Sequence, residues 1–307
     1  MRYISAQPLS VYWSWQVDTM INSFIKAKVD PNKIDIVFCD HSGTKNENKD
    51  DIEEYFYLKN KYQKVNFYLY PDTRVIKTYI SSIRPHILAK HFYRFPDLYK
   101  GAFLYHDCDI VLTKPLDVER YLYNKSCYLS DTISYIGYNY IMTKGEDVLD
   151  LMCQTANIDK EIVKKNEDFS GGCQYLLKDI DYKFWQIVEE DCRNLYINIC
   201  KLNQEKIKKN KDHKPLQIWC ADMWAVLWGL WKINKKTYVI DELDFTWANH
   251  NIENFYKFAI YHNAGVVKVD NKQFHKGLYR VKKPPKDLDI NPDLACYEYY
   301  RYVKQIL

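Results

Sequence analysis

The sequence has 307 residues, 47% of them hydrophobic and 27% charged, and its 44 Lys and Arg against 40 Asp and Glu give a formal net charge of +4. This is the composition of a folded globular protein, and only 9 Gly and 10 Pro beside 16% aromatic residues exclude collagen-like, linker-rich and disordered classes. So small a charge gives no strong signal for a nucleic-acid partner, and the 28 Tyr fit codon bias better than a sugar- or base-stacking surface.

Strand and helix patterns alternate through the first hundred residues. Apolar runs predict strands, and apolar residues three and four positions apart predict helices. The predicted strands are residues 3–6, 34–39, 65–70 and 101–105. The predicted helices are residues 13–25, 51–61 and 79–92, with a polar loop at 40–50. This alternation predicts an α/β fold with a largely parallel sheet that helices cover on both faces.

The second half of the chain is richer in helical patterns. Two short ones lie in residues 147–165, and longer ones lie in 181–210 and 219–231. The apolar segments 238–240 and 258–261 follow, and a tail with Pro and Asp begins at residue 283. No repeat, low-complexity block or linker separates the halves. We therefore predict a single domain over residues 1–307, in two lobes that meet near residue 114.

Cysteine usage and the absence of apolar signals bear on the compartment. The nine Cys include no Cys-x-x-Cys pair, and an odd, scattered set suits buried reduced thiols better than a disulfide framework. The N-terminus has no apolar signal core, and no run approaches the roughly 18 apolar residues of a membrane span. We expect a cytoplasmic protein without a membrane span.

The sharpest chemical feature follows the fourth predicted strand. Asp107 and Asp109 stand two residues apart at its carboxyl end, which is where ligands bind in parallel α/β sheets. Paired carboxylates suit a hard cation such as Mn²⁺ or Mg²⁺ that keeps sites open for phosphate oxygens. An acidic turn with only a structural role is the alternative for this pair on its own.

Two later segments add imidazole and ammonium groups. The segment from His262 to Lys268 carries a His, a Gly and a Lys, and His275 and Lys276 repeat the chemistry shortly afterwards. Imidazole is a good Mn²⁺ ligand, and a Lys ammonium can neutralise a phosphate. Either His on its own is more often structural than a ligand.

These residues resemble those of metal-dependent glycosyltransferases with the GT-A fold, in particular the retaining family that includes glycogenin-like enzymes and galactosyltransferases. That family has a Tyr-x-Asp-x-Asp-x-x-x-x-x-Pro-Leu motif, matched by residues 105–116, and a late His-x-x-Gly-x-x-Lys motif, matched by residues 262–268. The resemblance covers residues 1–115 and these motifs. It implies a Rossmann-like, mostly parallel central sheet flanked by helices, with a mixed lobe on the acceptor side.

The resemblance also implies roles for the motif residues. Asp107 and Asp109 would hold Mn²⁺ or Mg²⁺ with His262, and Asp107 would also contact the nucleotide sugar. Lys268 would bind the diphosphate, with Gly265 allowing close approach. Because the Pro-Trp that follows this Lys in the family is missing here, Lys276 stays an alternative to Lys268, as His275 does to His262. Residues 1–114 would form the lobe that binds the nucleotide sugar, and 115–307 the lobe for the acceptor and sugar.

Three residues of the first hundred are further candidates for binding the donor. Ala6 and Gln7 close the first predicted strand, where the family seats the nucleoside. Arg84 lies where the family often has an Arg that touches the nucleotide or the donor sugar. A plain surface Arg is the alternative for Arg84.

Four residues of the second half are candidates for the sugar pocket. Gly171 and Gly172 indicate a turn that needs positive φ or close approach to a ligand, and similar enzymes shape the sugar pocket with such a loop. A helix-entry turn is the alternative. Gln174 after this turn and Asp222 are the candidate catalytic residues. By the family resemblance Asp222 would hydrogen-bond the donor sugar, whereas in an inverting enzyme it would act as general base. A role limited to complementing the helix dipole is the alternative.

The implied function is transfer of a sugar from a nucleotide sugar, a UDP-sugar by resemblance, to a hydroxyl acceptor with retention of configuration. A glycan, a protein, a small molecule and a modified DNA base all stay open as acceptors. A metal-dependent nucleotidyltransferase or an inactive protein that binds nucleotide sugar or glycan are the alternatives. The first is disfavoured by the late His and Lys motif and by the absence of a P-loop.

Overall fold

The structure is a computed structural model that describes residues 1–40, 49–266 and 272–307. Residues 41–48 of the predicted polar loop lie outside the described residues. The strands are β1 (Arg2–Pro8), β2 (Ile34–Asp40), β3 (Asn66–Pro71), β4 (Ala102–Tyr105), β5 (Ile110–Leu112), β6 (Cys127–Asp131), β7 (Gly171–Lys178), β8 (Thr237–Val239), β9 (Phe245–Trp247) and β10 (Ile260–His262). The helices are α1 (Val11–Lys26), α2 (Lys49–Lys61), α3 (Ile83–Arg94), α4 (Ile133–Ile136), α5 (Tyr138–Met142), α6 (Glu146–Ala156), α7 (Lys160–Lys165), α8 (Tyr182–Lys209), α9 (Ala221–Lys232), α10 (Ile252–Lys257) and α11 (Ala295–Lys304).

Seven strands form a central sheet in the order β3-β2-β1-β4-β7-β6-β8. Strand β2 runs parallel to β1 and to β3, whereas β6 is parallel to β8 and antiparallel to β7. The four predicted strands are β1 to β4. A second sheet has the order β5-β10-β9, in which β10 is antiparallel to β5 and parallel to β9. The predicted α/β class, with a central sheet flanked by helices in the manner of the GT-A fold, is confirmed.

The chain divides into two compact units, each built from more than one segment. The first contains Met1–Pro71, Leu104–Leu122 and Asp241–Leu307, and the second contains Asp72–Phe103 and Tyr123–Ile240. Residue 114 lies inside the first unit. The division into a nucleotide-sugar lobe and an acceptor lobe at that residue stays a prediction.

The first unit has a core that is rich in aromatic rings. Tyr261 of β10 stacks on Tyr299 of α11, with ring centroids 5.1 Å apart, and Phe274 packs between Tyr279 and Tyr300. Helix α11 lies in the segment that the sequence indicated only as a tail with Pro and Asp. Its buried residues follow helical spacing, but most of its apolar surface comes from Tyr rings, which a pattern of aliphatic residues does not detect.

The second unit is centred on α8 and α9, which agree closely with the predicted helices. Helix α8 begins where the carboxylate of Asp181 accepts a hydrogen bond from the Phe184 amide at 3.1 Å, a typical N-cap. It ends in three Lys residues that complement the helix dipole. Helix α9 is buried along nearly its whole length, as its apolar sequence predicted.

The turn predicted at Gly171 and Gly172 is wrong. Both residues lie in β7, every residue of which is buried, and neither has positive φ. Gly is required at these two positions because other atoms of the protein lie too close to the backbone for a side chain to fit. A Cβ added at Gly171 would lie 2.5 Å from the Ser130 carbonyl oxygen and 2.7 Å from the Leu129 Cβ, while one at Gly172 would lie 2.6 Å from the Met223 Cε. The pairing of β7 with β6 therefore leaves no room for a side chain at Gly171, whereas at Gly172 the obstacle is the Met223 side chain of α9.

This crowding predicts that Gly171→Ala destabilises the fold. Because the nearest atoms belong to the backbone and to a buried Cβ, we expect a loss of about 1–3 kcal/mol in the free energy of unfolding, as for other overpacked sites. Urea denaturation followed by circular dichroism measures this loss. The exposed neighbour Asp168→Ala is the control and should stay within about 0.5 kcal/mol of the unsubstituted protein. Equal stability of the two variants would contradict the crowding.

Candidate functional site

The two predicted metal carboxylates lie in the short connection between β4 and β5. The amide of His106 donates to the Ile4 carbonyl at 3.1 Å, and the Asp109 carbonyl accepts from the Asn263 amide at 2.9 Å. These bonds hold the connection at both ends. Burial lowers the pKa of His106 to about 4, so this imidazole is neutral near pH 7 and adds no positive charge beside the carboxylates.

Strand β10 brings His262 to the same place. His262 is paired with Ile110 in the antiparallel register of β10 and β5, directly beside Asp109. Its Nε2 atom lies 3.3 Å from Asp109 Oδ1 and 3.6 Å from Asp107 Oδ2. One ligand atom from each of the three residues lies within 4.8 Å of the others. The cluster predicted from two distant sequence motifs is therefore present in the structure.

The donor set and its spacing fit a divalent cation. Neighbouring ligands of an octahedral ion with bonds of about 2.1 Å lie about 3.0 Å apart, close to the two distances measured from His262. Two carboxylates and one imidazole suit Mn²⁺ well, and Mg²⁺ less well because of the nitrogen ligand. Asp107 is partly exposed, whereas Asp109 and His262 are buried.

Lys276 supplies a positive charge at the cluster. Its Nζ atom donates to Asp109 Oδ2. Burial by itself raises the pKa of Asp109, but the charges of Lys276 and His262 outweigh burial and hold this pKa well below its usual range. Burial would likewise lower the pKa of Lys276, and Asp109 raises it instead. Lys268, the other candidate for the diphosphate, lies outside the described residues.

Aromatic rings orient the His262 imidazole. The Trp247 ring stacks on it at a centroid distance of 5.7 Å and an angle of 16°, and the Phe245 ring lies 5.4 Å away. Both rings belong to β9, the parallel neighbour of β10. Restricting the imidazole in this way lowers the entropy that it would lose on binding a metal.

Of the two candidate histidines, His262 is the one that the structure places in the cluster. Among the described residues the carboxylates form a metal-ligand group with His262 and not with His275. The His275 ring instead lies against Gly277, where an added Cβ would come within 2.8 Å of its Cε1. Gly265, which follows His262, has a φ of 87°, so it adopts the left-handed conformation that favours Gly.

The sequence reasoning missed Tyr12, at the start of α1. Its hydroxyl lies close enough to the cluster for Lys276 and Asp109 to influence its pKa, although burial is the largest cause of the rise in that pKa. The Arg280 guanidinium lies over the Tyr12 ring at 5.6 Å. The sequence position of Tyr12 could have indicated it, because α1 begins at the carboxyl end of the first strand, where ligands bind in α/β sheets.

The second unit holds another predicted residue pair, Arg84 and Asp222. The Arg84 guanidinium donates to Asp222 Oδ2, and the Tyr79 hydroxyl donates to Asp222 Oδ1 at 2.7 Å. Asp222 is buried at the start of α9. Burial raises the pKa of Tyr79 well above its usual value, and the Asp222 charge raises it further, so the hydroxyl stays protonated and donates. Both oxygens of this carboxylate are thus held in place.

Gln174 lies at an irregularity of the sheet. Leu129 is paired with Tyr175 and Ser130 with Gly172, so Cys173 and Gln174 form a bulge, and Cys173 has a φ of 67°. The Ser130 hydroxyl donates to Gln174 Oε1 at 2.6 Å, while Gln174 Nε2 is buried without a hydrogen-bond partner among the described residues. Bulges commonly re-aim a side chain next to a binding site. The catalytic role of Gln174 stays a prediction.

Ala6 and Gln7 lie inside β1, because the strand continues to Pro8, beyond its predicted end at residue 6. Both residues are buried, and Gln7 Nε2 donates to the Val37 carbonyl of the neighbouring strand at 3.4 Å. Their contact with a nucleoside stays a prediction.

All nine cysteines are free and eight are buried, as the sequence predicted. Among the described residues, none of the helices combines the length and the apolar character that crossing a membrane requires.

Comparison with known proteins supports the fold. No protein-family model and no curated protein matches the sequence. The apo structure of the bifunctional glycosyltransferase WbbM matches 99% of this chain with 13% identity and a TM-score of 0.50. This chain spans 49% of the WbbM chain, about half its length. The likeness to WbbM shows a shared fold.

Two further glycosyltransferase structures are similar at lower scores. An active-site mutant of LgtC matches 87% of this chain and 89% of its own, with 12% identity and a TM-score of 0.42. Mouse xyloside xylosyltransferase 1 matches 85% of this chain and 97% of its own, with 9% identity and a TM-score of 0.42.

The geometry of the cluster predicts which histidine binds a metal. His262→Ala removes a ligand that lies 3.3 Å from Asp109, so we expect Mn²⁺ affinity to fall by at least about tenfold. His275→Ala is the matched control and should bind Mn²⁺ as the unsubstituted protein does. Titration with Mn²⁺, followed by electron paramagnetic resonance of the free ion, measures both affinities. A larger loss in His275→Ala than in His262→Ala would contradict the assignment.

Proposed function

We propose that the chain is a metal-dependent glycosyltransferase that uses a nucleotide sugar, of the UDP class, and transfers its sugar to a hydroxyl acceptor with retention. The observation that supports this most directly is the cluster of Asp107, Asp109 and His262, whose ligand atoms lie within 4.8 Å of one another. The similarity in fold to WbbM adds support. The donor class and the stereochemistry follow from the family resemblance of the motifs.

A bound Mn²⁺ would neutralise the negative charge that develops on the diphosphate as the sugar leaves. Asp107, Asp109 and His262 would hold this ion. The Lys276 ammonium, which donates to Asp109 at the edge of this cluster, would donate to a phosphate oxygen of the donor. Lys268 and Gly265 belong to the same predicted diphosphate-binding group. The chemistry of this part of the protein is thus stabilisation of the leaving group.

The residues that the family resemblance assigns to the donor sugar are Asp222 and Gln174. Asp222 has both oxygens fixed by Arg84 and Tyr79, so this carboxylate is positioned before any ligand arrives. A preorganised carboxylate loses little entropy when it accepts a hydrogen bond from a sugar hydroxyl. Gln174 at the β-bulge belongs to the same proposed sugar-binding group.

The metal role predicts the effect of Asp109→Asn on donor hydrolysis. The protein would be incubated with Mn²⁺ and UDP-glucose, UDP-galactose, UDP-N-acetylglucosamine or GDP-mannose, and released nucleotide measured. Because the substitution removes one charge from the ligand set, we expect hydrolysis to fall by about 100-fold or more. The exposed Asp117→Ala, also in the first unit, is the control. The chelator EDTA should reduce hydrolysis in the same way.

Two outcomes would contradict the proposed function. One is that all donors stay intact with the unsubstituted protein under every metal condition. The other is that hydrolysis persists undiminished in Asp109→Asn and in EDTA. Release of a sugar 1-phosphate, the product of attack at the α-phosphate, in place of nucleoside diphosphate would indicate a nucleotidyltransferase instead.

The position of Asp222 predicts a different kinetic change. Asp222→Asn leaves the metal cluster intact, so Mn²⁺ affinity should not change. Loss of a charged hydrogen-bond acceptor for the donor sugar should lower kcat/KM for hydrolysis by about 10- to 100-fold. Asp168→Ala, exposed in the same unit, is the control. Parallel measurement of kcat/KM and Mn²⁺ affinity would refute this role if both fell together or if neither fell.

A further inference from the structure

A pocket between α3 and α8 in the second unit contains none of the candidate site residues. Its volume is about 360 Å³. Its lining includes His86, Lys90 and Tyr93 from α3, and Tyr182, Gln186 and Glu189 from α8. This volume is near the lower end of the roughly 300–1,000 Å³ of ligand pockets, so its occupant is small.

The buried His86 fixes the carboxylate of the pocket. Its Nε2 atom accepts from the Thr73 backbone amide at 3.3 Å, so its proton resides on Nδ1. The Nδ1–H group then donates to Glu189 Oε2 at 3.0 Å. Glu189 is therefore held by one carboxylate oxygen. Because its side chain is 20% exposed, the carboxylate still reaches solvent. A carboxylate fixed in this way can accept hydrogen bonds from a ligand at little entropic cost.

Two tyrosines provide an aromatic surface. Tyr93 is 70% exposed, and its ring packs edge to face on Tyr182 with centroids 5.1 Å apart. The contact between the rings restricts both of them. A large aromatic ring that faces solvent at a pocket is typical of a binding surface that needs both an apolar face and a polar edge.

The charges of the pocket favour a neutral ligand. Glu189 contributes one negative charge and Lys90 one positive charge. The Glu189 carboxylate would repel a phosphate, and the Lys90 ammonium would repel an ammonium ligand. The amide of Gln186, the carboxylate and the ammonium together offer donors and acceptors to hydroxyl groups. A molecule with many hydroxyls and an apolar ring face matches this combination of groups.

We propose that this pocket binds the terminal sugar of a neutral glycan. The apolar face of the sugar ring packs on Tyr93, and its hydroxyls bond to Glu189, Gln186 and Lys90. The choice of a glycan over other neutral polyhydroxy compounds rests on the proposed function, in which the protein transfers sugar to a hydroxyl acceptor. The site itself is independent of the metal cluster, because none of its residues belongs to that cluster.

The test uses immobilised neutral oligosaccharides that end in glucose, galactose, mannose or N-acetylglucosamine. The full chain is applied without metal and without nucleotide sugar, and the best oligosaccharide is then titrated by isothermal calorimetry. We expect Tyr93→Ala to weaken binding by about tenfold or more, and Glu189→Gln to weaken it by about tenfold. Tyr123→Ala is the matched control, because Tyr123 is 81% exposed and lies outside the pocket, and this variant should bind as the unsubstituted protein does.

Three results would overturn the proposal: no oligosaccharide binds, binding is unchanged in both pocket variants, or Tyr123→Ala weakens it as much as Tyr93→Ala does. Selective capture of acidic in place of neutral oligosaccharides would also overturn it. Circular dichroism of each variant establishes that a loss of binding is not a loss of folding. Because donor hydrolysis is measured separately with Mn²⁺, failure of the pocket to bind glycans leaves the proposed transferase activity standing. Failure of hydrolysis likewise leaves glycan binding measurable.

Discussion

The candidate metal site depends on the antiparallel pairing of β5 with β10. These strands have three residues each, yet their register alone places His262 beside Asp109. The pair is extended by two further bonds, from the Thr113 amide to the Ala259 carbonyl at 3.0 Å and from the Asn263 amide to the Asp109 carbonyl at 2.9 Å. Beneath it, Val111 and Tyr261 are fully buried in the aromatic core of the first unit. Because successive strand residues point to opposite faces, a shift of one residue would separate the imidazole from the carboxylates.

Each of the two candidate sites contains a buried carboxylate held by a cation: Asp109 by Lys276 and Asp222 by Arg84. Desolvation offsets much of the attraction in a buried ion pair, so such a pair adds little net stability compared with apolar residues of the same size. We therefore attribute positioning, more than stability, to these pairs. Removing the cation of either pair would leave an uncompensated buried charge. Each carboxylate also has a second contact, Asp109 with His262 and Asp222 with Tyr79.

The many tyrosines have a structural use that composition alone did not reveal. In the first unit Tyr261, Tyr299 and Tyr300 are almost completely buried, and their rings fill the core where aliphatic side chains would otherwise pack. In the second unit Tyr79 fixes Asp222, while Tyr93 is exposed at the pocket between α3 and α8. A Tyr ring supplies a large apolar area together with one polar atom, so the same residue type can serve a core, a hydrogen-bond network and a binding surface.

The sequence by itself determined the α/β class, the first four strands and the long helices, because periodicity and turn residues are local signals. It also determined which residue types could hold a metal. Only the tertiary structure decided between His262 and His275, because that choice depends on the register of two short strands from distant segments. The same reason explains the turn wrongly predicted at Gly171. Local sequence shows that a Gly is needed, whereas the atom that excludes a Cβ, the Ser130 carbonyl oxygen, belongs to a neighbouring strand.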